Sequence, residues 1–220
     1  LDKASNEVPI CLIAGDAHTI WLNTKALEEL GLTSENIPSE IGGEAVKKDG
    51  ELTGVFLEAI AIYYLSKVLA IYEADSKVAL LDYMKHLNAM GITAVGDVAL
   101  TGESPDDIVY PKLYSSVEDD STVRVSFFPA MREEVEVNRC LYQIYQSPML
   151  QMGGVKQFYD GVTSSHTAYL KEPYPIPFFE GDVGGPLLTE EKMERLTLLA
   201  NQEGWPMRIH TVGDRAVELT

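Results

Sequence analysis

From about residue 76 onward, apolar positions switch regularly between a helical and a strand period. Leu80, Met84 and Leu87 fall on one helical face, with Ser76 as the predicted cap and Gly91 as the stop. A β-prone run, Ile92 to Val95, follows and ends in Gly96-Asp97. A helix is predicted between Pro105 and Val117, and a strand over Val123–Phe128 that ends at Pro129. Glu133–Tyr145 reads as a helix with acidic residues in its first turn, where the dipole favours them. The next strand is Val155–Tyr159. Thr189 then caps a helix carrying Met193, Leu196, Leu199 and Ala200 on one side and stopped by Gly204. Met207–Val212 is another strand, and Asp214 is placed to cap the helix after it. Strands and amphipathic helices alternating at about 30-residue spacing predict parallel βα units, about four of them.

Residues 1–75 follow another pattern. Strand-like Ile10–Ile13 leads to Asp16-Ala17-His18, then to a helix from Asn23 to Leu30. Turns at Gly42-Gly43 and Asp49-Gly50 flank short segments that read as a β-rich insertion. Ala59–Tyr72 is the most apolar run. It is shorter than the roughly 20 residues of a bilayer span and is broken by Ser66 and Lys67, so it predicts a buried helix. The Tyr63/Tyr64 pair belongs to its packing.

In parallel α/β proteins ligands bind where strands end and βα loops begin. Those positions are Asp97, Arg132, Lys156 with Asp160, and His210 with Asp214. The loop Gly161–Leu188 is about 28 residues long, far beyond the usual 2–6, which predicts a lid or substrate wall. Taken singly, Lys156 could merely extend its stem to the strand end, and His210 could be a core histidine. His18 and His166 in polar loops fit either a structural or a functional role.

Composition narrows the partners. The 220 residues hold 34 acidic against 17 basic side chains, a formal charge of −17. Phosphate backbones and anionic membranes select the opposite sign, so neither nucleic acid nor a membrane is an expected partner. A small-molecule substrate is. Cys11 and Cys140 lie far apart, which predicts two buried thiols in a cytoplasmic protein rather than a disulfide or a zinc finger. The chain starts at Leu1 without a methionine and ends at Thr220 where a helix begins, and both ends read as those of a fragment.

The stretch GVKQFYDG, followed by SSHTAYLKEPY and by IHTVGDRAV, resembles the amidohydrolase superfamily. The resemblance is to its amidohydrolase 3 branch, which includes N-substituted formamide deformylases. DAHTIWLNTKAL is similar to that branch's Asp-Gly-His-x-x-Trp-x-Asn motif, with Ala17 in place of the glycine, and GELTGVFLEA to its TGxLxE segment. These blocks run in family order over nearly the whole chain.

The resemblance implies a metal-dependent hydrolase on a (β/α)8 TIM barrel. This chain would supply about strands 2–5 over residues 76–220, with residues 1–75 inserted between strands 1 and 2. Lys156 matches the family's strand-4 lysine and His210 its strand-5 histidine, the metal ligands of the catalytic centre. A lysine of pKa about 10.4 is a cation and a poor ligand, but its carbamate is a carboxylate able to bridge two metals. The expected cofactor is one or two divalent ions, with zinc foremost, and the expected reaction is cleavage of an amide-type, non-peptide C–N bond by a metal-activated hydroxide. Asp160 and Asp214 would orient the ligands, while His18, Trp21, Asn23, Ser165 and His166 are the expected substrate contacts. The family's His-x-His pair, strand-6 histidine and strand-8 aspartate are not in this sequence, and His166 stands where the family often has arginine. A single-metal or ester-cleaving hydrolase, and an inactive self-associating fragment, are the competing readings. An open half-barrel with Val125, Phe127 and Ile209 facing its interior would bury them as a homo-oligomer or under residues 1–75.

Overall fold

Asp49 and Gly50 both take positive φ, 54° and 87°, in the two-residue turn joining β3 (Glu44–Lys48) to β4 (Glu51–Leu57). With β1 (Cys11–Ile13) and β2 (Thr19–Leu22) these form an antiparallel sheet in the order β1-β2-β4-β3. The computed structural model describes residues 1–15, 18–38, 41, 43–71, 73–99 and 110–220. Asp16, Ala17, Gly42, Tyr72 and Pro105, which entered the sequence reading, lie outside them. The sheet buries Ile20, Leu22 and Phe56 against α2 (Ala59–Ile71), whose Ile60, Ala61, Tyr64 and Leu65 are also buried. The Tyr63 and Tyr64 rings meet edge to face at 5.1 Å, a packing contact. Among the described residues no helix is long and apolar enough to cross a membrane.

These elements belong to one compact unit, which includes Leu1–Ala79, and a second includes Val109–Thr220 and begins at Leu80, within the helix that follows. There α3 (Glu73–Ala89) ends at Gly91, whose φ of 80° lets the Ile92 N–H reach Leu87 O at 3.0 Å. The helix starts before Ser76, which therefore lies inside it rather than capping it. Parallel strands β5 (Ala94–Val98), β6 (Arg124–Phe128) and β7 (Leu150–Met152) lie side by side. β8 (Val155–Phe158) pairs in parallel with β9 (Met207–His210). Beyond the Gly153-Gly154 break, Lys156 N donates to Pro129 O and Met131 N to Lys156 O, both at 2.8 Å, so β8 continues the order past β6. The intervening helices are α4 (Pro111–Ser115), α5 (Glu136–Ile144) and α6 (Glu190–Gln202), and α7 (Asp214–Leu219) closes the chain. The fold is thus α/β with separate antiparallel and parallel sheets.

Three expectations are corrected. Val125 and Phe127 are buried beneath the helices with Met84, Leu87 and Leu196, and Ile209 packs against the same cluster. The opposite face carries Arg124, Ser126, Lys156, Arg208 and His210. Strand side chains alternate, so a parity error of one residue exchanges the faces, and the apolar surface expected to drive self-association is already covered. Gly213, not Asp214, is the cap residue of α7. Cys140 is exposed rather than buried, and both cysteines are free.

The loop after β8 builds a small core of its own. His166, at φ 57°, stacks between Tyr174 at 4.0 Å and Phe178 at 3.8 Å. Its Nδ1 lies 2.6 Å from Oδ2 of the buried Asp182. Asp182 also accepts from Phe178 N at 3.0 Å, and Tyr174 OH donates to Ala168 O at 2.9 Å. The hydrogen bond from His166, then that from the Phe178 amide, holds the Asp182 carboxyl below the usual carboxylate range.

A carboxyl depressed on folding stabilises the loop above its unfolded pKa of about 3.9, and that contribution is lost as pH falls through the lower folded value. Acidification below pH about 4 is therefore expected to speed amide exchange at Phe178 and Gly184 before the strands open. Protection unchanged through that range, or an Asp182→Asn variant indistinguishable from wild type, would refute the account. A second expectation concerns Gly213, where an added Cβ would meet Tyr169 O at 1.8 Å. Gly213→Ala should cost about 3 kcal/mol and lower Tm by roughly 6–12 °C, since backbone cannot yield as a side-chain tip can. Gly185→Ala, with open space around it, should stay within about 0.5 kcal/mol.

Candidate metal-binding site

Lys156 and Phe158 alternate onto the same face of β8, and the register pairs Lys156 with Arg208 and Phe158 with His210. Lys156 and His210 are thereby brought to one face of two adjacent parallel strands, His210 as the last residue of β9 and Lys156 two residues before the end of β8. Phe158 serves both. Lys156 Nζ sits 3.4 Å above its ring centroid, and the His210 ring lies 5.0 Å from it. Lys156 is buried, and its Nζ donates to Gln157 O at 2.9 Å. His210 Nε2 lies 3.0 Å from Gly161 O. A carbonyl only accepts, so Nε2 carries the hydrogen and the neutral ring keeps its lone pair on Nδ1. That is the protonation a metal-ligating imidazole needs.

Asp160 is fully buried. Its Oδ1 accepts from Val212 N at 2.9 Å, and Oδ2 from Gly213 N at 2.7 Å and Tyr169 N at 2.8 Å. It touches neither Lys156 nor His210 through these bonds, and acts instead on the backbone two residues beyond His210. Asp214 accepts from Lys171 N at 2.9 Å, tying the long loop to α7. Ser165 closes a single 3₁₀ turn, Thr163–Ser165, with its Oγ 2.9 Å from Thr167 Oγ1. His166 is committed to its stack and to Asp182. Asp97 lies on the helix side of β5, where it accepts from Tyr114 OH at 2.5 Å. Burial, then the Asp97 charge, drives the Tyr114 pKa strongly upward.

In the first unit, His18 Nδ1 lies 2.8 Å from Glu58 Oε2, and Trp21 is 43% exposed on β2. Asn23 has interior work. Its Oδ1 accepts from Ile10 N and Ala26 N, and its Nδ2 donates to Ser5 O and Val8 O. All four positions are used in capping α1 (Thr24–Glu29) and holding the chain before it, which leaves none for a ligand.

The residues present fit part of a metal centre. Lys156, if converted to a carbamate, and His210 through Nδ1 would provide two donors from adjacent strands. Among the described residues no three His, Cys, Asp or Glu side chains cluster as a metal would require. Two participants escaped the sequence reading. Phe158 was detectable as the residue two beyond Lys156 in a period-2 strand, whereas the Gly161 carbonyl carries no side-chain signal at all.

The profile of the amidohydrolase family matches residues 1–220. The chain is 27% identical over 229 residues to the Arabidopsis thaliana protein LONG AFTER FAR-RED 3, covering 100% of this chain and 39% of that protein. It is 27% identical to the putative amidohydrolase YtcJ of Bacillus subtilis, covering 99% and 41%. Its fold is similar to that of an uncharacterized metal-dependent hydrolase from Pyrococcus horikoshii OT3, with a TM-score of 0.69 at 23% identity over 98% of this chain and 42% of that one. A metal-dependent hydrolase from Pyrococcus furiosus gives a TM-score of 0.67 at 21% identity over 99% and 43%. The chain therefore spans about two fifths of the length of these proteins. With a family profile matched from the first residue to the last, this chain belongs to the amidohydrolase family.

Proposed function

We propose that the chain supplies part of the metal centre of a (β/α)8-barrel hydrolase that cleaves amide-type, non-peptide C–N bonds. One observation carries the reading. In a chain of the amidohydrolase family, Lys156 and His210 share one face within two residues of the C-terminal ends of neighbouring parallel strands, in contact with the same aromatic ring. Ligand sites of parallel barrels form at that end. Lys156 as its carbamate and His210 through Nδ1 would hold a divalent ion, zinc by donor type. When bound, such an ion polarises a carbonyl and lowers the pKa of a water molecule.

The chain's own residues do the rest. The Gly161 carbonyl keeps the His210 proton on Nε2. Asp160 clamps the backbone on either side of that contact, at Tyr169 and at Val212-Gly213. Phe158 contacts both side chains, with its ring centroid 3.4 Å from Lys156 Nζ and 5.0 Å from the His210 ring, and so fixes their orientation on the shared face. The loop from Gly161 to Leu188 would wall the substrate, with Ser165 the hydroxyl available to orient it. Hydrolysis adds water across the C–N bond and releases a carboxylate and an amine.

In the full-length protein, Lys156→Ala is expected to lower turnover of amide substrates by more than about a hundredfold, beyond the loss typical of a residue that only supports a ligand. Metal content by elemental analysis should fall with it. Acetate or propionate should restore part of the activity by standing in for the carbamate oxygens, and His210→Ala should show no such rescue. Normal rate and metal content in Lys156→Ala would leave the lysine with its packing role alone.

A further inference from the structure

On the other side of the same strand lies an open-mouthed cavity of about 320 Å³. Gln157 forms part of its wall, and residues 156 and 157 point to opposite faces of β8, so the cavity is on the helix-covered side, away from Lys156 and His210. Met131, Leu188 and Leu196, all buried, supply the apolar part of its lining. Arg132 and Lys192 line it as well, and both are half-buried.

Neither cation has a hydrogen bond or ion pair from its side chain among the described residues. The other cations without a partner there, Lys3, Lys48, Lys77 and Lys112, are exposed to solvent. Acidic side chains outnumber basic ones by 34 to 17, so unpaired half-buried cations are the less expected outcome, and two of them meet at one cavity. Neither carboxylate in the lining, Glu133 or Glu134, forms an ion pair with them. Oε1 of Glu133 is occupied by Arg195, whose Nε and Nη2 lie at 3.2 and 3.0 Å, and Glu134 is exposed. Partly desolvated cations of this kind are stabilised by an anion brought from solution.

We infer that this cavity is a binding site for a small carboxylate with a short apolar tail. The two cations take the carboxylate, and Met131, Leu188 and Leu196 take the hydrocarbon. A volume near the lower end of the roughly 300–1,000 Å³ range of ligand pockets suits a short chain and excludes a nucleotide. Phosphate is disfavoured because it has no apolar part to meet Met131, Leu188 and Leu196, and because Glu133 and Glu134 in the same wall repel two negative charges more than one. Gln157 links the cavity to the strand, since its Nε2 donates to Met131 O at 2.9 Å and its Oε1 accepts from Phe158 N at 2.7 Å. The site is independent of the proposed chemistry and would stand if that reading failed.

The test is an NMR titration of this chain with sodium butyrate at fixed ionic strength in the presence of a chelator. Saturable shifts are expected at the Arg132 side chain, the Gln157 amide and the Leu188 and Leu196 methyls. Arg132→Gln and Lys192→Gln should each weaken binding about tenfold, with the remaining spectrum unchanged as the check on folding. 1-Butanol, with the tail but no charge, and inorganic phosphate, with charge but no tail, should each bind at least about tenfold more weakly. Shifts that rise linearly without saturating, or that centre on Lys156 and His210, would overturn the inference. So would equal binding of butanol or phosphate, or undiminished butyrate binding by Arg132→Gln.

Discussion

The arrangement at the strand ends hangs on one buried carboxylate. Asp160 has lost all its water, and burying a charge costs several kcal/mol unless hydrogen bonds replace hydration. Three backbone N–H groups do so, from Tyr169 in the long loop and from Val212 and Gly213 beyond β9. Because these donors come from two segments, one side chain fixes the loop after β8 to the turn after β9. The close approach this enforces explains Gly213, whose missing side chain leaves room for the Tyr169 carbonyl, and that carbonyl in turn accepts from Arg215 and Ala216 at the start of α7. His210 is oriented within this frame by the carbonyl of the residue next to Asp160.

The parallel strands have faces of opposite character. Beneath the helices the side chains are apolar and buried. On the other face an arginine and an aromatic ring lie over backbone that carries no side chain to obstruct them. The Arg208 guanidinium rests 3.7 Å above the Phe128 ring, and its Nη1 occupies the space a Cβ on Gly96 would need, 2.7 Å away. Phe128 likewise lies over Gly153 and Gly154. Glycines in these strands give up side-chain packing to make room for long-reaching neighbours. β8 serves both sides, with Lys156 on one and Gln157 beside a cavity on the other.

The long loop shows how a sequence signal for function can be answered by structure. A histidine amid hydroxyls after a barrel-like strand invites a chemical role, yet His166 is the centre of a three-ring stack closed by a buried aspartate. Twenty-eight residues without strands need some interior of their own, and this stack provides it. The stack is covered on one side only, since its outer ring, Phe178, is 73% exposed, and Phe179 next to it is 65% exposed.

Local chemistry was legible along the chain. The Asp49-Gly50 hairpin, the Thr189 cap and Gly204 stop of α6, and the alternating βα order follow from short-range sterics and hydrogen bonding, which act within a few residues. Lys156 and His210 were recognisable as strand-end residues, and the family motifs around them reinforced that. β7 was missed because three residues, Leu150-Gln151-Met152, are too few to display a period. The facing of Val125, Phe127 and Ile209 required knowing which side the helices cover, and periodicity alone does not distinguish one side of a sheet from the other. The bonds of Asp160 to residues more than fifty positions away, the capture of His166 by Asp182, and the meeting of Arg132 with Lys192 were decided only by tertiary structure. Sequence encodes which groups can donate, accept or carry charge; their partners exist only once the chain has folded and brought distant segments within about 3 Å.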